Sequence, residues 1–151
     1  MDTSTSNDNK VWYDANCHCR AVQLRFRVTP LFPTDTAPSP EPLKPFNCNC
    51  SICTKNGYLN VYPKDADTDI EWIKGQDSIS EYRWGTKEVG HKFCPICGSS
   101  IVLIVGAAMW GDGSGTSKVG VNARMIKGVD VDKLTVLKKN GKDDWGEKYD
   151  P

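Results

Sequence analysis

The chain has 151 residues, 38% of them apolar, and 19 Lys and Arg balance 19 Asp and Glu. That length supports one domain with its own core. Zero formal charge excludes the cationic surplus of a dedicated nucleic-acid or anionic-membrane binder, and the longest apolar run, Ile101 to Ala108, falls far short of the ~20 residues of a spanning helix.

The expected elements follow in chain order. Residues 1–10 are polar apart from Met1 and are expected to form a disordered tail, with order beginning near Val11-Trp12-Tyr13. Nothing in that start has the basic and apolar pattern of a secretory signal, so a cytoplasmic location is expected. Val22, Leu24, Phe26 and Val28 alternate with Gln23, Arg25 and Arg27, the period-two signature of a half-buried strand. Residues 30–45 hold six of the nine prolines and should form an exposed loop. Asp69 to Lys74 and Ile79 to Trp84 read as short strands joined by the turn-prone Lys74-Gly-Gln-Asp77. Ile101 to Val105 suits a strand buried on both faces. Residues 106–117, rich in glycine around Met109 and Trp110, read as a long connection. Val119, Val121 and Ala123 alternate again, Val129 to Lys133 suits one helical turn, and Leu134 to Leu137 a last short strand. The expectation is a single mainly β domain over 11–138, with a C-terminal tail over 139–151.

Seven cysteines stand out against this background. They form three clusters: Cys17-His-Cys19, Cys48-Asn-Cys50-Ser-Ile-Cys53 and Cys94-Pro-Ile-Cys97-Gly98. In a reducing compartment such thiols are metal ligands or reactive groups rather than disulfides, and an odd number cannot pair completely. The spacings suit a tetrahedral metal. Residues i and i+2 of an extended chain point the same way, and a CxxC turn brings two sulfurs together. Buried cysteine can also simply fill core space, but the regular pairing argues against that.

Seven thiolates divide most simply into four and three. Cys17, Cys19, Cys94 and Cys97 make a closed, structural zinc site; Cys48, Cys50 and Cys53 make an open one, where a fourth position is left for chemistry. Spacing also allows Cys17, Cys19, Cys48 and Cys50 as the closed set, and His18 or His91 as a ligand.

Three cysteine clusters, together with Tyr82-Arg-Trp-Gly-Thr86, His91-Lys-Phe-Cys94 and Val121-Asn122-Ala-Arg124, resemble the glutathione-dependent formaldehyde-activating enzyme family, whose domain is shared with centromere protein V. The likeness runs from about Asn16 to Leu137. It departs at Arg20, where the family usually has glycine, and in the segment after Gly98. The resemblance implies a β-tent fold, a structural zinc on Cys17, Cys19, Cys94 and Cys97, and a catalytic zinc on Cys48, Cys50 and Cys53. It further implies a carbon–sulfur lyase that joins formaldehyde to the thiol of glutathione, or reverses that reaction.

Glutathione as co-substrate carries two carboxylates, for which Lys55 and Arg124 are the candidate cations; Trp110, and with it Trp84, is a candidate wall of the pocket. The expected partner is a small aldehyde or thiol adduct, not a nucleic acid or membrane, with a homodimer left open. The rivals are another small carbonyl, thioester or biosynthetic intermediate on the same zinc fold, and a non-catalytic zinc interaction module.

Overall fold

The computed structural model describes residues 9–35, 41–145 and 148–150. The expected tail over 1–10 lies outside the described residues except for its last two positions. Of those, Lys10 is tied down, its Nζ 3.0 Å from Asp69 Oδ2.

Among the described residues ten strands form: β1 Val11–Asn16, β2 Gln23–Val28, β3 Phe46–Cys48, β4 Asn60–Val61, β5 Ile70–Lys74, β6 Ser80–Tyr82, β7 Val89–Phe93, β8 Ser100–Val105, β9 Lys118–Asn122 and β10 Leu137–Lys139. Four short helices join them: α1 Ser51–Asn56, α2 Ala66–Asp69, α3 Ala107–Trp110 and α4 Gly141–Asp144. The fold is mainly β, as expected, and no helix among the described residues is long and apolar enough to cross a membrane. The single turn expected near Val129–Lys133 is a 3-10 turn over Val131–Lys133.

The strands make two sheets. A three-stranded sheet has the order β1-β2-β5, and a seven-stranded sheet the order β10-β3-β4-β9-β8-β7-β6. The link between β5 and β6 therefore crosses from one sheet to the other. Alternation in β2 works as the sequence implies: Leu24, Phe26 and Val28 are buried and join Val61, Ile101, Val102 and Val121 in the main core. Across the small sheet, Asp69 is fully buried, with Arg27 Nε at 2.7 Å and Lys10 Nζ at 3.0 Å. Burial pushes its carboxyl up, but these two cations outweigh that and hold it below the usual range.

β8 is buried on both faces for a specific reason. Val102 belongs to the main core, whereas Leu103 and Val105 belong to a second cluster with Cys48, Cys53 and Tyr58. Pairing carries this division across the sheet, because Leu103 lies opposite His91 on β7 and opposite Gly120 on β9. Gly120 is needed there: a Cβ would come within 2.8 Å of the Tyr62 ring. The large sheet thus has one face on the main core and one face on a cavity.

Three expected elements are corrected. The last strand runs over Leu137–Lys139 rather than Leu134–Leu137, because Leu137 N–H bonds Pro45 O and the strand then follows β3 in parallel; Leu134 is instead a core side chain. The connection over 106–117 contains α3, which ends in a left-handed Gly111. The C-terminal tail from 139 is ordered over 139–145. Asn49 holds it with both ends of its amide, Nδ2 donating to Asn140 Oδ1 and Oδ1 accepting from Lys142 N–H, each at 2.9 Å. Of the proline-rich loop, 36–40 lies outside the described residues; the flanks carry no helix or strand, and Leu43 N–H closes its base on Pro30 O at 2.9 Å.

Candidate metal centres and the cavity between them

The cysteines fall into two groups, Cys17, Cys19, Cys94 and Cys97 in one and Cys48, Cys50 and Cys53 in the other, with all sulfurs of a group within 4.8 Å of one another. The alternative closed set of Cys17, Cys19, Cys48 and Cys50 is not brought together, and neither His18 nor His91 joins a group.

The four-cysteine group is built from two hairpin tips. Cys17 and Cys19 sit in the turn between β1 and β2 of the small sheet, and Cys94 and Cys97 in the turn between β7 and β8 of the large one. The group therefore clips one sheet to the other. Its sulfurs are spaced for a tetrahedral ion: Cys17 to Cys19 and Cys19 to Cys94 are both 3.6 Å, close to the ~3.8 Å edge set by zinc–sulfur bonds of about 2.3 Å. Backbone N–H groups turn toward the sulfurs, as Val22 N–H does toward Cys17 Sγ at 3.3 Å. Cys97 is lowered to about 5, first by the Ser99 hydroxyl and then by the N–H groups of Cys19 and Ser99. Cys19 goes the other way: the Ala21 N–H lowers it, but burial and the Cys17, Cys94 and Cys97 sulfurs push it up to about 11, so the charge on one thiol opposes that on the next until a cation sits among them. The residue that replaces the usual glycine, Arg20, adopts a left-handed φ of 63° in the first turn.

The three-cysteine group sits at the end of β3 and the start of α1. Cys50 is the N-cap residue and Cys53 lies one turn on, on the same side of the helix. Cys48 is lowered to about 2, first by hydrogen bonds from the Cys50 and Cys53 thiols and then by the N–H groups of Cys50 and Gly141. Cys50 and Cys53 are pushed the other way, mainly by their bonds to the sulfur that already holds the charge. One negative charge is stabilised and two more are opposed, a conflict that a divalent cation removes. The donor set of three soft thiolates fits zinc, so both groups are able to hold a metal ion.

All three of these cysteines line a cavity of about 430 Å3 on the free face of the large sheet, and none of the other four does. Its floor follows from strand parity: Phe46 and Cys48, Asn60 and Tyr62, Leu103 and Val105, and Val89 and His91 are each two residues apart and face the same way. Its rim comes from the Trp84-Gly85-Thr86 turn, α3 and Trp145.

The proposed wall residue Trp110 stacks obliquely on Tyr62 with centroids 4.7 Å apart, and Trp84 also lines the cavity. Lys55 and Arg124 do not line it. Lys55 is exposed in the last turn of α1, and Arg124 donates from Nε to Gly57 O at 2.7 Å, satisfying a carbonyl where that helix ends. The cations expected for glutathione are thus absent from the cavity wall.

Sequence reasoning does not single out Asn60, Tyr62, Tyr58 and Trp145, and it weighs His91 only as a ligand. An asparagine inside the short apolar run Tyr58-Leu-Asn-Val-Tyr62 is a signal that could have been read. His91 is buried, its Nδ1 3.3 Å from Tyr58 OH. Burial lowers its pKa, and Arg83 adds to this, so it stands neutral at pH 7. Burial also pushes Tyr58 up to about 12, leaving it a protonated hydroxyl.

A sequence model of the family described as glutathione-dependent formaldehyde-activating enzyme matches residues 12–109. A crystal structure of a protein from Rhodobacter sphaeroides superposes with a TM-score of 0.56 at 22% identity, covering 83% of this chain and 99% of that one. At that identity the likeness speaks for the fold.

Proposed function

The chain belongs to the glutathione-dependent formaldehyde-activating enzyme family, and from that premise we propose that it makes or breaks a carbon–sulfur bond between a thiol and a carbonyl compound at the three-cysteine group. Zinc is the metal we assign to both groups. One observation carries the reading: of two thiol groups, the one with three donors opens on a cavity and the one with four does not.

Held by Cys48, Cys50 and Cys53, zinc would supply one open position, at which a thiol would be held as thiolate or, alternatively, a carbonyl oxygen polarised, the thiol being the first choice. The chain's own residues do the rest. The floor and aromatic rim enclose the reactants and limit water. His91, neutral and in the cavity wall, is suited to take the thiol proton or return it to the oxygen of the adduct. Tyr58 holds its Nδ1, which leaves Nε2 for that exchange. Glutathione and formaldehyde, the pair in the family's description, are the first reactants to test.

The test is two-dimensional exchange NMR of formaldehyde with glutathione, on protein carrying two zinc ions per chain. Exchange faster than the spontaneous rate supports the reading, and Cys50→Ser should reduce that acceleration by about 100-fold or more while the protein stays folded. Zinc content of one per chain in the wild type, or undiminished exchange in Cys50→Ser, would overturn it.

A further inference from the structure

One buried group in the cavity has no partner. Asn60, on β4, is 3% exposed, and its Oδ1 is shielded from solvent without a hydrogen bond among the described residues. Buried acceptors are almost always satisfied, because leaving one unmet forfeits its hydration with nothing in return. Asn60 lines the same cavity as Cys48, Cys50 and Cys53. That oxygen is covered, so an occupant of the cavity supplies the missing donor when the amide turns toward it about its soft χ2 torsion.

The rest of the wall narrows what that ligand is. Phe46, Tyr62, Trp84, Trp110 and Trp145 present rings, and among the described lining residues there is no Asp, Glu, Lys or Arg. Of the cations around it, Arg83 is paired with Glu81 Oε1 at 2.7 Å, Arg124 is held on Gly57 O, and Lys139 lies over the Phe46 ring at 4.6 Å, none of them lining the cavity. Three thiolates around a divalent ion leave a net negative charge. A carboxylate drawn into this cavity would lose its hydration and meet a net like charge, with no cationic side chain in the lining to offset either cost. Aromatic walls with a few placed polar groups instead suit a neutral ring.

We propose, resting on the carbon–sulfur reading above, that the cavity takes an uncharged aromatic thiol and its carbonyl adduct, with Asn60 Oδ1 accepting the hydroxyl of the adduct. In the forward step the sulfur lone pair forms a bond to the carbonyl carbon, and the π pair of the C=O bond passes to oxygen. The proton released by the thiol ends on that oxygen, so nothing is oxidised or reduced. The product is a thiohemiacetal, and its new hydroxyl is the donor that Asn60 lacks. In reverse, the carbon–sulfur bond breaks and the same proton returns to sulfur.

Benzyl mercaptan and glutathione are the probes, each titrated into the zinc-loaded protein by tryptophan fluorescence and then used as the thiol in formaldehyde exchange NMR. Benzyl mercaptan should bind about tenfold more tightly than glutathione or better, and Trp110→Ala should narrow that gap to about threefold or less. Asn60→Leu should slow exchange with benzyl mercaptan by about tenfold while the Kd of the free thiol, which has no such hydroxyl, moves less than about threefold; Asn60→Ala serves if the leucine variant does not fold. Glutathione binding as tightly as benzyl mercaptan, or unchanged exchange in the Asn60 variant, would overturn the proposal. No acceleration with either thiol would instead sink the carbon–sulfur reading, and the order of affinities would still decide the substrate class.

Discussion

The two cysteine groups offer the same ligand chemistry in different places in the fold. Cys17, Cys19, Cys94 and Cys97 join the tips of two hairpins that belong to different sheets, so an ion there ties together parts of the chain that lie far apart in sequence. Cys48, Cys50 and Cys53 lie within one strand–helix corner, which folds locally through the Cys50 N-cap and a left-handed Gly57. A metal there would link residues that are already neighbours, and its surroundings are a cavity. The contrast teaches that sequence separation between ligands, as much as their number, bears on what an ion would do: closing a long loop stabilises the fold, whereas closing a short one leaves the ion free for chemistry.

The largest effect should come from breaking the hairpin clip. Structural zinc contributes about 10 kcal/mol or more, comparable with the whole stability of a domain, so Cys94→Ser should abolish cooperative folding. Circular dichroism and zinc content check this; a Cys94→Ser protein that melts like Cys50→Ser would erase the distinction between the groups.

Next is the contact that couples the C-terminal segment to the open group. A Cβ on Gly141 would stand 2.5 Å from Cys48 Sγ and 2.8 Å from the Trp145 ring. Overpacking of this kind costs about 1–3 kcal/mol, and Gly141→Ala should therefore lower Tm and loosen the metal of the three-cysteine group while the four-cysteine zinc remains. Chelator competition that releases both ions together would show that the groups are not independent.

A smaller effect tests the cavity floor by pH. His91 faces Tyr58 and feels Arg83 and Glu81, and burial is the main cause that depresses its folded pKa below 6.5. The contribution of its neutral form is therefore fully present above the unfolded pKa of about 6.5 and is lost as pH falls toward the folded value, by at most about 1.4 kcal/mol per pH unit. His91→Gln should flatten the slope of unfolding free energy between about pH 6.5 and 5.5. An unchanged slope in urea titrations would place the dependence elsewhere.

The smallest change should be a gain at the clip. Arg20 holds a left-handed φ that costs a side-chain-bearing residue about 1 kcal/mol, so Arg20→Gly should raise stability by up to about that amount without touching the cavity. A lower Tm would mean that the arginine side chain contributes more than its backbone strain removes.

Much of the fold and of both cysteine groups is legible in the sequence. Alternation in Val22 to Val28 marks β2 because one face of that strand is buried and the other is not. The cysteine spacings make four and three the simplest division, because CxC and CxxC each bring two sulfurs together by local geometry, but which pairs share a site is settled only when the fold groups them. Helix α4 is not legible: its sequence, Gly-Lys-Asp-Asp, is polar and short, and it is held by the hydrogen bonds to Asn49 together with the bond from Asn140 Nδ2 to Asp143 Oδ2. Lys55 and Arg124 mislead as candidate ligands because a local reading lacks the same kind of information. Proximity to a motif in sequence says nothing about which way a side chain points, and Arg124 turns to a helix end instead.

What the sequence determined by itself is the inventory: seven thiols in pairs and a triplet, a mainly β chain, and the family they mark. Tertiary structure alone decided what the triplet looks onto. The cavity wall is drawn from β3, β4, β7, β8, α1, α3 and the C-terminal segment, and the order of strands in the large sheet does not follow the order of the chain. Side-chain parity is written locally, but which strands lie side by side is set by the burial of whole faces. Asn60, ordinary in the sequence, therefore becomes an unpaired acceptor in the wall of the same cavity as the thiols only when that sheet assembles.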